Sequence, residues 1–130
     1  MIRHGQTDWN AEGRLQGQQD IPLNALGRSQ ATRNGERLRE MIGAADGFRF
    51  IASPLSRTRE TMERLRTAMG LDPLAYRTDE RLVEVSFGDW EGHTLDEIGQ
   101  ISPDRLAARA EQKWSFIPPG TSAELSLIHI

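Results

Sequence analysis

The sequence predicts an α/β fold, a three-layer αβα sandwich around a mostly parallel central sheet. Three observations carry that prediction. Short apolar runs alternate with helical patterns along the chain, which is how strands and crossover helices follow one another in parallel sheets. The 130 residues suit one domain rather than two. Glycine-rich polar segments also follow the strand-like runs, and open α/β sheets bind ligands at the carboxyl ends of their strands.

The elements follow in order. Met1-Ile2-Arg3 reads as the end of a first strand, and Gly5, Gly13 and Gly17 punctuate a long ordered loop that runs to Pro22. Asn24 can cap a helix starting at Ala25, where Leu26, Ala31, Leu38, Met41 and Ile42 recur near helical spacing. Phe48 to Ser53 reads as a buried strand ending in Ser-Pro. From Ser56 a helical face runs through Thr61, Leu65 and Ala68, and Gly70 sits past its end. Leu74 to Arg77 is a weaker strand, and Leu82 to Phe87 alternates into the turn Gly88-Asp89-Trp90-Glu91-Gly92. Thr94 with Glu97 forms a capping box, a further helix follows Pro103, and Pro118-Pro119-Gly120 is a break.

Composition excludes several classes of function. A net charge of -3 and a pI near 5.6 give no field that would draw the chain to nucleic acid or to an anionic membrane. No cysteine is present, so no disulfide framework, thiol nucleophile or thiolate metal site is expected. His4, His93 and His129 are too few for a multi-histidine metal site. Nothing reads as a membrane span or a signal segment, and the expected location is the cytoplasm. Lys113 is the one lysine, so every other basic side chain is arginine, the better partner for forked contact with phosphate. Biased base composition accounts for most of those arginines.

Three clusters could carry chemistry. Arg3-His4-Gly5-Gln6-Thr7-Asp8-Trp9-Asn10 sets a cation beside a nucleophilic imidazole, with Gly5 allowing close backbone approach. Ser53-Pro54-Leu55-Ser56-Arg57-Thr58-Arg59 leads into a helix whose first-turn N–H groups, with Arg57, suit phosphate. Glu84 precedes the turn in Leu82-Val83-Glu84-Val85-Ser86-Phe87-Gly88-Asp89-Trp90-Glu91-Gly92. Each is weak alone. Arg-His-Gly occurs by chance in roughly one random chain in 60 of this length. Taken singly, His4 reads as a surface or core histidine, Arg57 and Arg59 as a solvated helix face, and Trp90 as a core anchor.

Together and in order, the clusters resemble the histidine phosphatase family of the phosphoglycerate-mutase-like superfamily. That family's pattern is Arg-His-Gly-Glu/Gln-Thr then Asn, Ser-Pro-Leu-x-Arg, and Leu-x-Glu-x-x-Phe-Gly-x-Trp-Glu-Gly. Gly13-Arg14-Leu15-Gln16-Gly17 and Leu23-Asn24-Ala25-Leu26-Gly27 also fit, and the likeness runs from Ile2 to about Gly120. The resemblance implies that His4 attacks a phosphoryl group in line and becomes phosphohistidine. It implies that Arg3, Arg57 and Asn10 bind the phosphoryl oxygens, while Glu84 protonates the leaving oxygen and then activates water. That acid role needs a raised pKa, from phosphate charge and partial burial. Gln16 and Gly17 match positions lining the substrate side, and Arg59 is an accessory contact. No metal and no cofactor are implied, because the arginines supply the positive charge.

The resemblance also implies departures. Members carry more apolar residues before Arg-His-Gly and a second catalytic histidine near the C-terminus, so the sandwich is expected to be truncated at both ends. Residues 1–124 are then a partial domain. Residues 125–130, Leu-Ser-Leu-Ile-His-Ile, match the in-frame translation of a transposase adapter and form a non-native tail. The implied activity is phosphomonoester hydrolysis on a small phosphorylated metabolite, impaired in this fragment. The alternatives are a cofactor-dependent phosphoglycerate mutase and a non-catalytic binding module of the same fold. No nucleic acid or membrane partner is expected, and oligomeric state stays open.

Overall fold

The computed structural model describes residues 1–43, 47–84 and 86–111. Pro118-Pro119-Gly120, Lys113, His129 and the tail at 125–130 lie outside the described residues. The chain divides into two units: Met1–Asp8 with Asp20–Val83, and Trp9–Gln19 with the chain from Glu84.

The first unit is built on two packed helices. Helix α2 (Ala25–Ile42) starts where expected, because the Asn24 side chain accepts the Gly27 N–H at 2.8 Å and so satisfies one of the helix's unpartnered donors. Helix α3 (Ser56–Ala68) packs against it, with Ala31 of α2 and Leu65 of α3 buried. Gly70 follows with φ 76°, the left-handed turn expected past the helix end. Strand β1 (Ile51–Ala52) pairs in parallel with β2 (Arg77–Thr78), Ile51 opposite Arg77 and Ala52 opposite Thr78. With α3 between them they form a β-α-β unit. The α/β class therefore holds, on a sheet of two strands among the described residues.

The strands differ from the sequence expectation. Phe48 to Ser53 contracts to Ile51–Ala52, and Leu74 to Arg77 moves to Arg77–Thr78. Asp72 causes the shift, since its carboxylate accepts the Leu74 N–H at 3.0 Å and holds a turn, delaying pairing until Arg77 donates to the Phe50 carbonyl at 3.1 Å. Met1 to Arg3 forms no strand, and Met1 and Ile2 are exposed. The alternation from Leu82 gives no strand among its described residues either. Asp79 instead caps a 3₁₀ turn over Glu80–Leu82 by accepting the Arg81 N–H, and Val85 lies outside the described residues.

The loop after Gly5 contains an unexpected helix, α1 (Asp8–Glu12). In the second unit, the capping box at Thr94 and Glu97 opens α4 (Leu95–Ile101), and α5 (Pro103–Glu111) follows the proline as expected. Trp90 and Ile98 are buried, so Trp90 is a core anchor. Arg14 ties this unit together by donating to the Gly92 carbonyl at 2.7 Å and to both oxygens of Glu97.

The Thr94 N–H holds the Glu97 carboxyl below the usual carboxylate range, against desolvation, with His93 and Arg14 adding in the same direction. A carboxyl with a lowered folded-state pKa contributes stability above its unfolded value, near 4.3, and loses it as pH falls through the folded one. Glu97→Gln should therefore reduce the loss of urea midpoint that accompanies acidification from about pH 6 to about pH 3. Equal losses in wild type and variant would contradict this account.

Candidate active site

His4 sits half-buried on a loop fixed to the start of α2. Gln6 donates its N–H to the Gln30 side chain at 2.9 Å, and its carbonyl accepts the Asn24 N–H at 3.0 Å. Thr7, fully buried, bridges to Leu23. The loop lies so close to the helix that a Cβ on Gly5 would meet the Gly27 carbonyl, and one on Gly27 would meet the Gln6 carbonyl. Two glycines permit backbone to touch backbone here.

The His4 Nδ1 lies 2.6 Å from the Gly5 carbonyl. A carbonyl only accepts, so Nδ1 carries the proton and the neutral ring has its lone pair on Nε2. That is the tautomer an in-line nucleophile needs. The Thr61 hydroxyl ties the loop to α3. Thr61, buried, accepts the Gly5 N–H at 3.1 Å and donates to the Arg57 carbonyl at 2.7 Å.

Arg57 has 2 % of its surface exposed. A solvated helix face is thereby ruled out for it, since arginine is rarely buried to this extent without charge partners. Arg3 and Arg59 are exposed, and Arg59 lies close enough to the Tyr76 hydroxyl to stabilise its ionised form, although burial dominates and pushes that phenol up. Three donors at the start of α3 are engaged. Thr58 and Arg59 give their N–H groups to the Leu55 carbonyl, and Ser56 donates to Asp20 at 2.7 Å. The Ser56 N–H holds the Asp20 carboxyl below its usual range, against partial desolvation, with Arg57 and Arg59 assisting. Sequence reasoning missed Asp20. The available signal was Leu55, which precedes α3 and supplies no side-chain cap.

The other candidates belong to the second unit. Asn10 is half-buried in α1, and Gln16 and Gly17 are buried in a turn where Gly17 adopts φ 54°. Glu91 pins that turn by accepting the N–H groups of Gln18 and Phe87, each at 3.0 Å, and the Gln19 side chain at 2.9 Å. A Cβ on Gly17 would meet the Glu91 carboxylate. Glu91 is a second residue that sequence reasoning left out, although it stands inside the Trp-Glu-Gly motif. Glu84 is exposed, so the partial burial expected for it is absent.

Within the first unit, a cavity of about 420 Å³ is lined by His4, Ser53, Thr58 and Thr61 with apolar side chains such as Leu38 and Leu65. It reaches His4 but neither Arg3 nor Arg57, so it is not where one phosphoryl group would touch all three. A cavity of about 630 Å³ lined by Arg49, Arg66, Arg77, Phe50 and Tyr76 includes no residue singled out from the sequence. Among the described residues no helix is long and apolar enough to cross a membrane.

The family described as "Histidine phosphatase superfamily (branch 1)" matches residues 1–127. A glucosyl-3-phosphoglycerate phosphatase of Mycobacterium tuberculosis is 39% identical over 116 residues, covering 88% of this chain and 49% of that protein. A Salmonella paratyphi C protein named "Probable phosphoglycerate mutase GpmB" is 41% identical over 98 residues, covering 75% of this chain and 42% of that one. Among solved structures, the mycobacterial glucosyl-3-phosphoglycerate phosphatase complexed with VO3 superposes with a TM-score of 0.76 at 38% identity, covering 92% of this chain and 56% of that one. A Bacillus stearothermophilus protein, YhfR, gives 0.73 at 36%, covering 96% and 58%. The chain thus spans about half the length of the curated relatives it matches.

Proposed function

Because this chain belongs to branch 1 of the histidine phosphatase superfamily, we propose that it forms a phosphomonoesterase acting on a small phosphorylated metabolite through a phosphohistidine at His4. The observation that supports this reading best is the Nδ1 proton of His4 held on the Gly5 carbonyl, which fixes the tautomer whose lone pair is on Nε2, the nitrogen that would attack. Nε2 bonds to phosphorus as the ester oxygen departs, and Glu84 gives that oxygen its proton. Water then attacks the phosphohistidine, Glu84 takes a proton from it, and inorganic phosphate and neutral His4 are released. Arg3, Arg57 and Asn10 hold the equatorial oxygens, where charge sits in a loose transition state. Gln16, Gly17 and Arg59 are accessory contacts on the substrate side.

The relative named as a mutase favours a second reading, in which the phosphohistidine returns its phosphoryl group to another hydroxyl. One experiment separates the two. The protein is incubated with a radiolabelled phosphomonoester, and the fate of the label is followed with and without added phosphoglycerate. An acid-labile, base-stable protein label that ends as inorganic phosphate supports hydrolysis, and transfer to phosphoglycerate supports the mutase. Glu84→Gln should leave the label forming but slow turnover by about 10²–10⁴-fold, the usual cost of a lost acid–base group. Turnover that required an added divalent metal would refute both.

A further inference from the structure

Helix α3 begins without a local cap, since Leu55 offers no side-chain acceptor to its first turn. The acceptor comes from 36 residues earlier, where Asp20 Oδ1 takes the Ser56 N–H at 2.7 Å. The same carboxylate is within electrostatic reach of Arg57 and Arg59, so it is the counter-charge of the first turn as well as its cap. A capping carboxylate at a helix start is favoured both by the hydrogen bond and by the helix dipole. We propose that Asp20 is a positioning residue, which holds the first turn of α3 in place for Arg57 and tempers that arginine's grip on phosphate. The inference rests on the reading that Arg57 binds a phosphoryl group.

Two consequences follow, and they have opposite signs. Losing the hydrogen bond should let the first turn fray and misplace Arg57, which slows turnover. Losing only the charge should leave Arg57 and Arg59 less neutralised, which strengthens binding of a dianion and slows its release. A purely structural role would leave phosphate binding unchanged where only the charge is lost and weaken it where the hydrogen bond is lost.

The test compares wild type, Asp20→Asn and Asp20→Ala, using inorganic phosphate as the probe, by direct calorimetric titration and as a competitive inhibitor. Asp20→Asn keeps an oxygen for the Ser56 N–H and is expected to bind phosphate about 3- to 10-fold more tightly, the scale of one unit charge acting through a partly solvated site. Asp20→Ala is expected to lose kcat about tenfold, the loss expected when a helix cap is removed from a turn that must be held in register. Phosphate binding by Asp20→Asn that is equal to or weaker than wild type would overturn the proposal, whatever happens to Asp20→Ala. Tighter phosphate binding by Asp20→Asn in a protein that forms no phosphohistidine would sink the catalytic reading and leave the role of Asp20 standing.

Discussion

His4→Ala is expected to abolish the phosphoenzyme and to lower turnover by about 10⁵–10⁶-fold, the loss seen when a covalent nucleophile is removed. The chain has no cysteine to serve as a nucleophile in its place. The effect on folding should be small. The substitution removes one hydrogen bond, from Nδ1 to the Gly5 carbonyl, on a half-buried side chain, which is worth about 1 kcal/mol. Two measurements settle the point: acid-labile label after reaction with substrate, and the thermal midpoint of the same preparation. Near wild-type turnover in the variant would refute covalent catalysis at this residue. A collapsed thermal midpoint would show that the ring is structural.

Gly27→Ala should destabilise the fold by about 3 kcal/mol, the upper part of the range for overpacking a site that cannot relax. The expectation runs against helix propensity, since alanine for glycine inside a helix normally stabilises by about 1 kcal/mol. Here the added Cβ would point into the Gln6 carbonyl, a backbone atom with no rotamer to change. Gln6 can move only by carrying the loop with it, and His4 stands two residues away, so turnover should fall with stability. Since domains have only about 5–15 kcal/mol of stability in total, the shift should be plain in a urea titration. A variant as stable as wild type would show that the loop does not sit against α2 as described.

The helices and their ends were legible because their causes are local. Asn24, Gly70, the Thr94 and Glu97 box and Pro103 each act within four residues, and each stands where a helix begins or ends. Helix α1 was not legible, since five residues are too few to show a period. The strands were misplaced for the opposite reason. Ile51 pairs with Arg77 across a whole helix, and no pattern within either run says where that pairing begins. Among the site residues, His4 and Arg57 stood out through their motifs, whereas Asp20 and Glu91 act on partners 36 and 73 residues away. Asp20 belongs to no motif read from the sequence, and Glu91, although inside Trp-Glu-Gly, acquires its role only when the chain folds back.

The Thr61 hydroxyl also has a dynamic consequence. The Gly5 N–H belongs to no helix or strand, so its shelter depends on Thr61, whose own proton is committed to the first turn of α3. Opening of that turn would withdraw the acceptor from Gly5 as well, exposing a buried donor at a cost of about 1–3 kcal/mol. The segment bearing His4 and the helix bearing the buried Arg57 should therefore open as one cooperative unit rather than as two loops. A valine at 61 would fill the same space yet break that unit, whereas a serine would preserve it.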